Sequence, residues 1–165
     1  MSFKKKKWKY DLKNPGFNFR LSELNCALGY SQLKKLDKNV KQRIDLSKIY
    51  DSNFNDLNFF IKPNKKKNFK NSFHIYPLRI KFGKLKISKD KFIEYLSKKF
   101  SINVQVHYKP THKFKYYNLR NEQKLPLSEV FYKEEVSLPL HLNLAKKQII
   151  YVIKSILNII NKYKK

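Results

Sequence analysis

From Ser22 onward, apolar residues recur at helical spacing. Leu24, Leu28, Leu36, Val40 and Ile44 mark the stripe, with Ala27 and Leu33 beside it. Ser22 suits an N-cap and Glu23 suits the positive end of a helix dipole. No proline interrupts the run, and Gly29 is its only glycine, so the pattern predicts one long helix reaching about Asn53. Ile61–Asn71 is polar and reads as a loop. The period then changes to two. Phe73, Ile75, Leu78 and Ile80 alternate through Ser72–Phe82, which predicts a strand that Pro77 confines to a sheet edge or a bulge. Ser88–Phe100 reads as a helix capped by Ser88, with Phe92, Leu96 and Phe100 on one face. A second strand is expected over Ile102–Tyr108, a short helix near Leu127–Lys133, a third strand over Val136–Leu140 and a closing amphipathic helix over Leu144–Tyr163.

Strands and helices alternate without repeats. The fold expected is α+β, a short mixed or antiparallel sheet with helices packed on one face. Three segments follow: a basic segment with a turn and loop over 1–21, the long helix over 22–57, and a small α+β domain over 58–165. The helix is long for so small a sheet, which hints at a neighbour or a dimer.

The formal charge of +26 raises nucleic acid as a partner. Only four of the 38 basic residues are arginines, Arg20, Arg43, Arg79 and Arg120, and the lysines are scattered. Base and phosphate readers favour the planar fork of arginine. A solvated lysine surface is therefore expected, with no specific nucleic-acid partner. The single Cys26 excludes an internal disulfide and a multi-cysteine zinc site. The basic start has no apolar run behind it, and Ile149–Ile160 is too short and carries Lys154, so no signal peptide and no membrane span are expected. The expected location is the cytoplasm.

Candidate chemistry collects in four places. Gly16–Arg20 reads GFNFR: an amide, Asn18, and a guanidinium, Arg20, beside a helix entrance whose exposed N–H groups favour an anion. A capped turn with a surface arginine is the structural alternative. His107–His112 reads HYKPTH at the end of a strand, where loops gather binding groups. A metal there would need a third ligand, and no acidic residue lies nearby, so none is expected. His74 and His141 are further histidines, read as packed or surface groups. The chain carries no nucleophile elbow, no glycine-rich phosphate loop and no carboxylate pair for acid–base work.

Read in order, these segments resemble a known family. The run from WKYDL through PGFNFRLSELNCALGYSQLKKLD resembles the stretch linking the two domains of the pyridoxal-phosphate-dependent sugar aminotransferases, the DegT/DnrJ/EryC1/StrS family. NSFHIYPLRI, INVQVHYKPTHKFKYY and PLSEVFYKEEVSLPLHLNL follow in the order of that family's C-terminal domain. VQVHYKP and FYKEEVSLPLH are similar to the branch that serves pseudaminic acid synthesis. The resemblance implies the small C-terminal domain of a fold-type I aminotransferase. It implies that Asn18 reaches the phosphate of pyridoxal 5'-phosphate across a dimer interface and that Arg20 lies near substrate. It makes His107, Tyr108 and His112 candidates for contact with a nucleotide sugar. The implied reaction moves an amino group from glutamate to the C4 keto group of a UDP-linked deoxysugar.

Family members are about twice this length, and their first domain carries the lysine that holds the cofactor. That domain is not expected ahead of Met1, and the expectation is a polypeptide that does not catalyse amino transfer alone. It would work as part of a homodimer, or with a separately encoded N-terminal half or a paralogue. The alternatives are a non-catalytic assembly module and a basic nucleic-acid-associated protein.

Overall fold

The computed structural model describes residues 14, 16–17, 19–64, 68–117 and 124–165. The chain divides into two compact units, Met1–Leu36 and Asp37–Lys165.

In the first unit, α1 spans Glu23–Leu33. Ser22 caps it as expected, accepting from the Asn25 N–H at 3.4 Å. None of its residues is buried. Phe17 and Phe19 are exposed and meet edge to face at 6.0 Å.

The single helix expected from Ser22 to Asn53 is two helices. The Lys35 N–H bonds to the carbonyl of Gln32, so the last turn of α1 tightens from the i−4 to the i−3 pattern and the chain turns at Lys34–Lys35. No proline or glycine marks this break. The next helix, α2, spans Leu36–Asn53 and buries Val40, Leu46, Ser47 and Tyr50.

The sheet has three strands in the order β1–β2–β3, with both pairings antiparallel. They are β1 (Phe60–Ile61), β2 (Tyr76–Ile80) and β3 (Glu135–Leu138). Tyr76, Leu78 and Ile80 alternate inward, as the period-two pattern requires. The strand starts later than its alternation suggests. Phe73 has φ 46° and its N–H bonds to the Asn71 side chain at 2.8 Å, a turn geometry that extended backbone cannot follow. Pro77 stands in the central strand rather than at an edge. It is tolerated because β1 pairs only with Arg79 and Ile80 and has ended by Pro77, which leaves one ladder there instead of two. The strand expected over Ile102–Tyr108 reduces to one bridge, Gln105 to Ser137.

Three more α-helices follow among the described residues: α3 (Lys89–Phe100), α4 (Pro126–Glu134) and α5 (Lys146–Tyr163). One core gathers Tyr50 of α2 and Phe54 just after it, the inward residues of β2, Phe92 and Leu96 of α3, and Ile149, Ile153, Ile156 and Ile159 of α5. Two buried tyrosines keep their hydroxyls satisfied. Tyr50 donates to the Pro139 carbonyl and Tyr76 to Asp51, each at 2.8 Å, and burial pushes both phenols far above their ordinary range.

The Ser88 hydroxyl accepts from the Lys91 N–H at 3.3 Å and starts α3. Ser88→Ala is expected to lower folding stability by about 1 kcal/mol, read from the urea midpoint at constant m-value. No helix among the described residues is long and apolar enough to cross a membrane.

Candidate functional site

A proline opens α4 and a strand closes it. Pro126 sits in the first turn, where its missing N–H costs nothing, and the chain passes straight from Glu134 into β3. All four residues of β3 are buried. Its outer neighbour is the segment before the histidine loop. The Ser137 N–H donates to the Gln105 carbonyl at 2.8 Å, and the Gln105 N–H returns to the Ser137 carbonyl at 3.3 Å. This bridge brings His107 alongside β3 and sends the following residues, 108–117, out over α4.

That loop and α4 enclose an open cavity of about 830 Å³. Tyr108, Tyr117 and Phe131 supply aromatic wall, Lys109 a cation, and Thr111 and Ser128 hydroxyls. Lys109 Nζ rests 5.3 Å from the centre of the Phe114 ring. A cleft walled by aromatic and aliphatic side chains, with a cation and a few hydroxyls, suits a ligand that is part ring and part anion.

Two contacts brace the cavity. His112 Nε2 and Lys113 Nζ each lie 3.2 Å from Glu129 Oε1 in the first turn of α4. Behind Phe131, Arg79 of β2 donates to Glu134 through Nε at 3.0 Å and Nη2 at 2.6 Å, and its guanidinium stands 5.9 Å from the Phe131 ring centre. This pair ties α4 to the face of β2 opposite the core.

His112, with Lys113 after it, holds the Glu129 carboxyl below the usual carboxylate range. Such a depressed group contributes its stabilisation above the ordinary glutamate value, about 4.3. The contribution fades as pH falls through the lower folded value. Protection of the amides in residues 108–117, taken against the intrinsic exchange rate at each pH, is therefore expected to fall below about pH 4. Glu129→Gln should lower that protection already at neutral pH and remove its acid dependence.

Tyr108 and His112 both line the cavity. His107 does not; its ring faces Ser137 instead, with Nδ1 2.8 Å from the hydroxyl. Arg20 is exposed in the first unit, and Asn18 lies outside the described residues. His74 and His141 are exposed and line no part of this cavity. Sequence reasoning singled out none of Glu129, Glu134 and Glu135. Adjacent acids running directly into an apolar strand were the available signal, since an acid carried into a sheet needs donors waiting for it.

Nearly the whole chain is similar to known proteins. Residues 1–157 match the model of the DegT/DnrJ/EryC1/StrS aminotransferase family. A UDP-4-amino-4,6-dideoxy-N-acetyl-beta-L-altrosamine transaminase of Campylobacter jejuni is 39% identical over 163 residues, 98% of this chain and 43% of that protein. The Helicobacter pylori protein of the same name is 36% identical over 155 residues, 93% of this chain and 41% of its own length. Among solved structures, Helicobacter pylori PseC, an aminotransferase involved in the biosynthesis of pseudoaminic acid, superposes with a TM-score of 0.79 at 35% identity. That match covers 97% of this chain and 43% of PseC. Spr1654 of Streptococcus pneumoniae, described as a sugar aminotransferase, matches in its PLP form with a TM-score of 0.78 at 27% identity, over 94% of this chain and 40% of that one. The chain thus spans about two-fifths of the length of the relatives it matches.

Proposed function

Because this chain belongs to the DegT/DnrJ/EryC1/StrS aminotransferase family, we propose that it forms the C-terminal part of a nucleotide-sugar aminotransferase of pseudaminic acid synthesis. The reaction is amino transfer from glutamate to the C4 keto group of a UDP-linked deoxysugar. The observation that carries this reading is the unbroken family match over residues 1–157. The relatives named for this reaction are more than twice as long, so the activity belongs to a protein that also contains the part this chain does not cover, on one polypeptide or two. The 165 residues by themselves do not turn over the keto sugar.

The cofactor the family implies is pyridoxal phosphate. The chemistry of the donors present fits an anion at the shared site: the guanidinium of Arg20 is exposed, one residue after the exposed Phe19, and a planar cation suits phosphate or carboxylate. When bound, the cofactor supplies the carbonyl carbon through which the amino group passes from donor to sugar. Asn18 holds the phosphate in a neighbouring subunit, and Arg20 holds an anionic group of substrate at the same shared site. Tyr108 and His112 take the sugar nucleotide in the cavity, where Lys109 faces its diphosphate. His107 supports that wall from behind.

Leu24, Leu28, Tyr30 and Leu33 are exposed on α1, which buries nothing of its own. Apolar side chains exposed around a helix in that way favour assembly, with a second copy or with the uncovered part of the family. The test is reconstitution. The chain is mixed with the complementary part of a family member, pyridoxal phosphate, glutamate and a UDP-4-keto-deoxysugar, and product is followed by mass spectrometry. Aminated sugar is expected only from the mixture. Turnover by the chain alone, or no turnover from any such mixture, overturns the reading.

A further inference from the structure

We propose that Glu135 is a positioning residue for the cavity: acting through Ser137, it holds the His107 ring in a single tautomer and so sets the wall on which Tyr108 rests. The assignment rests on reading that cavity as a nucleotide-sugar site.

Glu135 begins β3 and is completely buried. A carboxylate so placed persists only when its oxygens are satisfied. One accepts from the His107 backbone N–H at 2.9 Å, the other from the Ser137 hydroxyl at 2.5 Å. Lys89 adds a compensating cation. Its ammonium donates to the Tyr132 carbonyl at 2.5 Å; burial lowers its pKa, and the charges of Glu135 and Asp90 pull the other way.

The bond order decides the tautomer. Ser137 has one proton, and at 2.5 Å from an acceptor-only carboxylate that proton is committed to Glu135. Toward His107 the serine oxygen can then only accept. Nδ1 of His107, 2.8 Å away, must carry hydrogen, which leaves Nε2 as the lone-pair nitrogen of the neutral ring. The imidazole packs edge to face on Tyr108 at 4.6 Å and 88°. Tyr108 lines the cavity, while Glu135, Ser137 and His107 do not. The acid therefore acts at three removes, by fixing a ring that fixes a ring.

The experiment reads the tautomer directly. Long-range nitrogen–proton correlation spectra of the 165-residue chain resolve Nδ1 from Nε2, with His107→Gln assigning the His107 signals among the four histidines. The same samples are titrated with UDP-N-acetylglucosamine. The expected result in the wild type, for the ring in its neutral form, is hydrogen on Nδ1 and a lone pair on Nε2. Ser137→Ala loses that preference, and its affinity for the probe falls about three- to tenfold, the size of one net hydrogen bond, with circular dichroism unchanged. Glu135→Gln should do the same; if it fails to fold, Ser137→Ala carries the test.

An Nε2-protonated ring in the wild type, or a tautomer indifferent to Ser137→Ala, overturns the assignment. So does a tautomer change that leaves affinity unmoved. A wild-type chain with the expected tautomer that takes up no probe overturns the nucleotide-sugar reading, and the positioning role falls with it.

Discussion

Phe92→Ala is expected to remove about 3–5 kcal/mol of folding free energy. The ring is completely buried at the centre of α3's inner face and meets Phe82 edge to face at 5.4 Å. Truncation loses the transfer free energy of the ring. It also leaves a void that Leu96 and the isoleucines of α5 cannot refill without leaving their own packing. Domains of this size are held by about 5–15 kcal/mol in all, so the variant should sit near the edge of folding. Equilibrium urea denaturation followed by circular dichroism measures the loss. The partly buried neighbour Ile93 serves as the comparison, and Ile93→Ala should cost clearly less. Equal small losses at both positions would mean that α3 does not pack as described.

Arg20→Ala and Asn18→Ala should each weaken the assembled enzyme about ten- to hundredfold, the range expected when one charge-assisted hydrogen bond to a ligand is removed. The two should differ in what fails. Loss of Asn18 should release pyridoxal phosphate, seen as a raised cofactor concentration for half-maximal activity. Loss of Arg20 should raise KM for substrate at saturating cofactor. Arg20 is exposed, so its replacement should leave the stability of the lone chain within about 0.5 kcal/mol. Retention on DNA should not change with either variant, because a salt-sensitive lysine surface, not these two residues, would account for it. Unchanged amino transfer in both variants would remove the shared site from the account of this chain.

Much of the local structure was legible in the residues. Ser22 and Ser88 start helices because a hydroxyl at the cap takes a helix N–H that has no other partner, a requirement met within four residues. The inward alternation of Tyr76, Leu78 and Ile80 and the isoleucine stripe of α5 follow from the periods of strand and helix. The α+β class and the GFNFR and HYKPTH candidates likewise needed only neighbouring residues to be noticed. The end of α3 is a partial exception. Ser101 takes the left-handed conformation at φ 53°, and the Ile102 N–H reaches back to Leu96, a closure that glycine would have announced and serine does not.

What lay outside the chain's local pattern was decided by partners far away in sequence. The turn at Lys34–Lys35 carries no breaker residue, and nothing in its composition separates it from a continuous helix. Pro77 reads as an edge residue until β1 proves to be two residues long and to stop short of it. His107 reads as a ligand contact beside Tyr108. Only the bridge between Gln105 and β3 turns its ring toward Ser137 and leaves Tyr108 and His112 to face the cavity. Periods and caps are set by hydrogen bonds within one turn or one strand, so the sequence determines them alone. The orientation of a side chain at a site depends on which distant backbone lies beside it, and that is settled only when the chain is packed.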